Sequence, residues 1–252
     1  MVTKKMKNEI SIGSWITLGH FSIAEIMAKV GFDWLCVDME HSVIDYYEAE
    51  QLIATIKASN CIPYVRVGAN DPVIIKRVLD AGAKGIIVPM INNREDAKKV
   101  VDAVKYPPIG KRGVGLARAQ GYGFEFDEYA EKANEEIIII AQIEHKDAID
   151  NLEDIITVDG IDGTIIGPYD LSGSIGKPGK YDDLDVKVML RRYEKISKKI
   201  NKLMGYHVIQ PDHKLVLEKI RAGYNFIAFS LDTLFLGTIC RDELNILQEK
   251  IK

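Results

Sequence analysis

Short apolar runs alternate with longer amphipathic stretches along the whole chain, and this rhythm restricts the fold more than any other feature. Strands are expected at residues 10–15, 34–38, 62–67, 85–89, 137–143, 163–167, 204–209 and 225–229. Each run is rich in Val, Ile or aromatic residues and bounded by Gly, Pro, Asp or Asn, as strands buried on both faces are. Helix-length segments lie between them, among them residues 22–30, 46–59, 72–81, 94–104, 184–203 and 213–222. In the third of these, Ile75, Val78 and Leu79 repeat at the three-and-four spacing that buries one helix face. Gly31, Gly82 and Gly223 each follow a helix and precede a strand, the cap position that welcomes a left-handed backbone. Strand and helix alternating about eight times specify a parallel sheet, and eight such units close into a ring. The expected fold class is therefore α/β, a single (β/α)8 TIM barrel spanning residues 1–252. Residues 105–122 and 172–183 break the rhythm as long loops, the kind that form active-site walls or subunit contacts.

Composition removes several classes of function. A net charge of -4 and a pI near 5.8 supply no basic field for nucleic acid. Cys36, Cys61 and Cys240 are too scattered for a disulfide framework or a zinc knuckle, which fits a reducing compartment. The basic N-terminal residues precede no long apolar stretch, and no run is long enough to span a membrane. The expectation is a soluble cytoplasmic globular protein.

Chemistry in a parallel barrel collects at the carboxyl ends of its strands. Those ends hold Asp38-Met39-Glu40-His41, Arg66, Met90, Gln142-Ile143-Glu144-His145, Gly167-Pro168-Tyr169-Asp170, His207 to Gln210, and Ser230 to Asp232. Glu144 and Asp170, on adjacent strands with no evident cation, would repel each other unless a divalent metal lay between them. Oxygen-only ligands suit Mg²⁺ or Mn²⁺. The bland reading is that either one caps a helix. Gln142 lies two residues before Glu144, on the same strand face, and is placed to hold a metal-bound water or a substrate oxygen. Arg66 in an interior strand calls for an anion, either a substrate oxygen or a salt bridge to Asp38 or Glu40. His41 is a candidate general base. His20, His145, His207 and His213 have no comparable setting and read as structural or surface residues.

Other chemistries lack their signatures. The segments 110–113 and 176–179 have neither P-loop spacing nor its hydroxyl, and no G-x-G-x-x-G opens a helix after a strand. Lys84 begins a strand at the wrong end of the barrel for an imine. The last two strand ends lack the glycines that cradle phosphate in sugar-phosphate barrels.

The ordered set Asp38-Met39-Glu40-His41, Val65-Arg66-Val67, Leu79-Asp80-Ala81-Gly82-Ala83, Pro107-Pro108-Ile109-Gly110-Lys111-Arg112-Gly113, Gln142-Ile143-Glu144 and Gly167-Pro168-Tyr169-Asp170-Leu171-Ser172 resembles class II pyruvate aldolases of the HpcH/HpaI family. The likeness covers nearly the whole chain. It implies a barrel in which Glu144 and Asp170 ligate Mg²⁺, Mn²⁺ or Co²⁺ and a 4-hydroxy-2-oxo acid is cleaved to pyruvate and an aldehyde. Pyruvate would chelate the metal beside Gln142, and Arg66 would stabilise the enolate oxygen. His41 would relay the aldol proton, and backbone amides around Ser172 and Gly173, at a helix start, would receive the pyruvate carboxylate. The resemblance further implies a homo-oligomer, a hexamer built as a trimer of dimers, in which Asp80 supports the histidine of a neighbouring subunit. Tyr169 and the 177–185 loop depart from the family pattern near the aldehyde half. A citrate-lyase-like enzyme acting on a CoA thioester and a catalytically silent barrel are the rival expectations.

Overall fold

The computed structural model describes residues 10–251. Eight parallel strands close in chain order: β1 (Ser11–Ile16), β2 (Trp34–Asp38), β3 (Ile62–Arg66), β4 (Gly85–Val88), β5 (Ile138–Ile143), β6 (Gly163–Ile166), β7 (Leu203–Val208) and β8 (Phe226–Leu231). The outer ring holds α1 (Phe21–Lys29), α2 (Tyr46–Ala58), α3 (Pro72–Asp80), α4 (Arg94–Val104) and α5 (Phe126–Glu136). It continues through the short α6 (Lys146–Asp150), α7 (Leu152–Ile156) and α8 (Pro168–Gly173) to α9 (Leu184–Ser197), α10 (His213–Arg221) and α11 (Asp232–Ile251). The expected barrel is the observed one.

Local chemistry sets several boundaries. Asp45 and Glu48 form a reciprocal capping box at the start of α2. Asp71 caps α3, with Pro72 in the first turn, where its missing N–H costs nothing. The helix expected over 184–203 ends at Ser197, and β7 begins at Leu203. Lys202 takes up the intervening turn by donating to the carbonyls of Ile156 and Val158. Within the 105–122 loop a short 3₁₀ segment, Arg118–Gly123, is kinked by left-handed Gly121 and Tyr122. The 172–183 loop starts inside α8, which takes its first two residues.

Inward residues recur every second position, and alternate strands supply successive layers. Near the amino end, Trp34 stacks on Phe226 at 4.4 Å, and Tyr64 lies 5.5 Å from Trp34 and 5.8 Å from Phe226. These rings fit because glycine faces them. A Cβ on Gly13 would sit 2.0 Å from the Trp34 ring, and one on Gly85 would sit 1.6 Å from Tyr64. Gly85→Ala should therefore overpack the floor and destabilise the fold by about 1–3 kcal/mol. Urea unfolding tests this, and an unchanged midpoint would mean that the ring can move aside.

Two positions beyond Gly13, Tyr64, Ile140 and Gly205 stand Trp15, Arg66, Gln142 and His207, on β1, β3, β5 and β7. The barrel is thus apolar below and polar at its carboxyl end. Only the start of α11 packs closely, with Phe235 lying 5.1 Å from Phe229 and 6.2 Å from Phe32. Further along, Leu236, Ile239, Leu244, Ile246 and Leu247 are exposed, so this helix does not simply close its own barrel. No helix among the described residues is long and apolar enough to cross a membrane.

Candidate active site

The polar layer is organised around Arg66. Its Nε donates to Asp38 Oδ1 at 2.9 Å and its Nη2 to Asp38 Oδ2 at 2.7 Å, a two-point contact that fixes the guanidinium plane. That plane lies over the Trp15 ring at 4.3 Å. Nη1 is 3.5 Å from Gln142 Oε1, at the edge of a cleft lined by Trp15, Arg66, Gln142, Gly167, Asp170 and His207. The salt-bridge reading of Arg66 is thus realised, yet one arm of the fork still faces the cleft. Burial opposes the charge of Asp38, but the Arg66 hydrogen bonds and charge outweigh it and hold the carboxyl below its usual range.

Asp38 also shapes the turn that follows β2. Its Oδ1 accepts from the backbone N–H of Glu40 at 3.1 Å and of His41 at 3.2 Å, and the Ser42 hydroxyl donates to its carbonyl. That turn carries Glu40 inward, where its Oε2 lies 3.3 Å from Arg66 Nε and 3.6 Å from His41 Nε2. Burial pushes the Glu40 carboxyl up, and the charges of Glu144 and Asp38 add to the effect. His41 itself is 65% exposed at the rim, a position open to an incoming substrate.

Glu144 is buried at the end of β5 and is held by two donors. Met90 N–H gives to Oε1 at 2.7 Å and Gln142 Nε2 to Oε2 at 2.6 Å. Met90 reaches that position with a φ of 53°, a left-handed conformation that a non-glycine residue adopts at some cost. Burial pushes the Glu144 carboxyl up, and the charge of Asp170 adds to it. A Cβ on Gly167 would stand 3.6 Å from Glu144 Oε2 and 3.9 Å from Asp170 Oδ2. Both carboxylates therefore border one small space that the glycine leaves open. Among the described residues no cation pairs with either, and no group of three or more His, Cys, Asp or Glu side chains is placed to hold a metal. The donor set is two carboxylates with room for water and substrate oxygens, which suits a hard divalent ion.

One expectation changes, and one placement is as expected. Ser172 and Gly173 close α8; the helix opens at Pro168. The Ser172 hydroxyl donates to the Tyr169 carbonyl at 2.6 Å and accepts from Gly179 N–H at 2.9 Å, so it ties the following loop together. The helix-start argument for a carboxylate there does not hold, because the amides of an opening turn belong to residues nearer Pro168. Asp80 ends α3, and helices of this barrel run antiparallel to the strands, so it lies at the opposite end from His41. There it pairs with Arg112 at 2.6 Å, and the Arg112 side chain is fully buried.

His20 and His145 cap α1 and α6, each accepting a backbone N–H at 3.2 Å, in keeping with structural roles. Trp15 joins the site without having been singled out, Met90 was noted only as a strand end, and His207, read as structural or surface, lines the cleft. For Trp15 and His207 the signal was present, since each ends a strand in inward register. For Met90 there was none, because its role depends on a backbone angle.

Comparison with known proteins places this geometry among relatives. The family model described as HpcH/HpaI aldolase/citrate lyase matches residues 11–236. A hydroxypyruvate/pyruvate aldolase of Sagittula stellata is 39% identical over 90% of this chain and 89% of its own length. A 2-keto-3-deoxy-L-rhamnonate aldolase of Klebsiella pneumoniae subsp. pneumoniae is 38% identical over 91% of this chain and 85% of its own. The crystal structure of an HpcH/HpaI aldolase/citrate lyase family protein from Burkholderia cenocepacia superposes with a TM-score of 0.93 at 32% identity, covering 98% of both chains.

Proposed function

The chain belongs to the HpcH/HpaI aldolase/citrate lyase family and is an aldehyde-lyase, and we propose that it splits a 4-hydroxy-2-oxo acid reversibly into pyruvate and an aldehyde, aided by a bound divalent metal. The observation that carries this reading is the meeting of Glu144 and Asp170 beside Gly167, with Gln142 and Arg66 next to them. Glu144 and Asp170 would hold Mg²⁺, Mn²⁺ or Co²⁺, and a bound ion of this kind supplies Lewis acidity to a keto oxygen.

The remaining work falls to the chain's own groups. Asp38 and Trp15 hold the Arg66 plane so that Nη1 can donate to the keto oxygen as negative charge develops there. A donor already in position needs no reorganisation during the reaction. Gln142 keeps the Glu144 carboxylate oriented through its amide N–H. His41 Nε2, at the rim beside Glu40, takes the proton from the C4 hydroxyl in cleavage and returns it in condensation. Ser172 ties together the loop that follows α8, beside the cleft residues Pro168 to Asp170. Release of pyruvate from a panel of 4-hydroxy-2-oxo acids, coupled to lactate dehydrogenase with and without divalent metal, tests the reading. No metal-dependent pyruvate from any of them would sink it.

The active unit we propose is a homo-oligomer in which Asp80 serves a neighbour's His41. Support comes from the exposed apolar length of α11 and from the distance of Asp80 from its own rim. Asp80→Ala should also cost about 3–5 kcal/mol of stability, because it strands the buried Arg112 guanidinium. Asp80→Asn keeps an oxygen for Arg112 and is the better partner for mixing. Hybrids of inactive Asp80→Asn and inactive His41→Ala protomers should recover part of the activity. No recovery, or a fully active monomer in light scattering, would refute sharing.

A further inference from the structure

Residues 111–113 take no part in the cleft, yet they border another cavity. It has a volume of about 400 Å³, lies between α3 and α4 of the outer ring, and shares no lining residue with the cleft. That volume suits a small molecule. Lys76 of α3, Lys99 of α4, and Lys111 and Arg112 of the loop line it, and Pro72 and Val73 add an apolar wall. The loop is pinned through its backbone. Lys111 N–H donates to the Asp102 carbonyl at 2.7 Å, and Arg112 N–H to the Lys105 carbonyl at 3.0 Å. The Lys76 ammonium reaches this loop, 4.0 Å from where a Cβ on Gly113 would sit.

The chain as a whole is acidic, with a net charge of -4, but here cations outnumber carboxylates. Asp102 takes Lys111 at 2.6 Å, and Asp80 takes Arg112 Nη2 at 2.6 Å. Among the described residues Lys76 and Lys99 have no carboxylate partner. The Arg112 side chain is fully buried, and its Nε has no hydrogen-bond partner. An unmatched guanidinium N–H at that depth is costly. Two ammoniums and one buried donor, from three separate elements, are therefore left over around a single hollow. Like charges gathered in this way are relieved by an anion between them. A carboxylate offers two oxygens, whereas a phosphoryl group offers three and carries close to two negative charges at neutral pH. We propose that this cavity binds the phosphoryl group of a small anion, with Lys76, Lys99 and Arg112 as its donors. The site stands apart from the aldolase reading of the cleft.

Isothermal titration of the full chain with glycerol 3-phosphate, inorganic phosphate and malonate, at constant ionic strength, tests this. Both phosphates should bind more tightly than malonate. The double variant Lys76→Ala, Lys99→Ala should weaken phosphate binding at least tenfold. Lys76→Arg keeps a charged donor and should retain most of the binding. Lys98→Ala removes an exposed lysine of α4 outside the cavity and should change nothing. Lys99 is exposed, so Lys99→Ala alone carries the test should the double variant fail to fold. Tighter binding of glycerol 3-phosphate than of the free ion supports an esterified ligand, and the reverse order supports free phosphate. Malonate that binds as tightly as either phosphate overturns the phosphoryl assignment. Phosphate binding that survives loss of both lysines puts the anion elsewhere, Arg66 of the cleft included, and overturns the site. So does a parent protein that binds neither phosphate at millimolar concentration.

Discussion

Glu144→Ala and Asp170→Ala should each remove metal-dependent pyruvate formation. Lewis-acid stabilisation of a developing oxyanion is worth several kcal/mol, so its loss is expected to lower turnover by about a thousandfold or more. The two variants differ in what else they disturb. Glu144 accepts from Met90 N–H and Gln142 Nε2, so Glu144→Ala leaves two donors without an acceptor and should cost stability as well. Asp170 sits exposed at the cleft wall, and its removal should leave the unfolding midpoint nearly unchanged. Asp170→Ala is therefore the cleaner experiment. Isothermal titration with Mn²⁺ should show weakened binding in both, and the circular dichroism of Asp170→Ala should match the parent. Near-normal turnover with unchanged metal affinity in either variant would remove that residue from the site.

Arg66→Lys should lower turnover by roughly a hundred- to a thousandfold, the usual consequence of losing one donor to a developing oxyanion. Lysine keeps the charge but not the fork. One ammonium cannot hold both Asp38 oxygens, lie flat on Trp15 and still direct a donor into the cleft. Exchange of the pyruvate methyl protons in deuterium oxide isolates this step, because it needs enolisation and no aldehyde. Unimpaired exchange in Arg66→Lys would reduce Arg66 to a structural partner of Asp38.

Much of the barrel could be read from the chain because strand and helix ends coincide with strong local signals. β2 and α4 fall where expected, residue for residue, bounded by Asp33 and Asn93. β8 runs past the expected 225–229 to Leu231, since a kink at Ser230 lets pairing resume with shifted register. α5 gave no clear periodic signal because only Ala133 of its eleven residues is buried. In the site, Arg66, Gln142, Glu144 and Asp170 were legible, since a polar side chain at the end of an inward strand has few other uses. The double duty of Asp38, which holds both Arg66 and the Glu40–His41 turn, was not. It depends on which of several nearby carboxylates wins the guanidinium, and that is decided by position in space. The left-handed Met90 lies further still from anything that spacing encodes.

The stacked rings of Trp34, Tyr64 and Phe226, fitted against Gly13 and Gly85, stopper the barrel from beneath. Among the described residues the chamber is thus closed at its amino end, and traffic through the carboxyl end is expected to be ordered. The keto acid, if seated on the polar layer as proposed, should enter before the aldehyde and depart after it. Accumulating pyruvate is then expected to compete directly with the keto acid awaiting cleavage, and accumulating aldehyde is not. A tunnel-less vessel of this kind makes its deepest product its own governor.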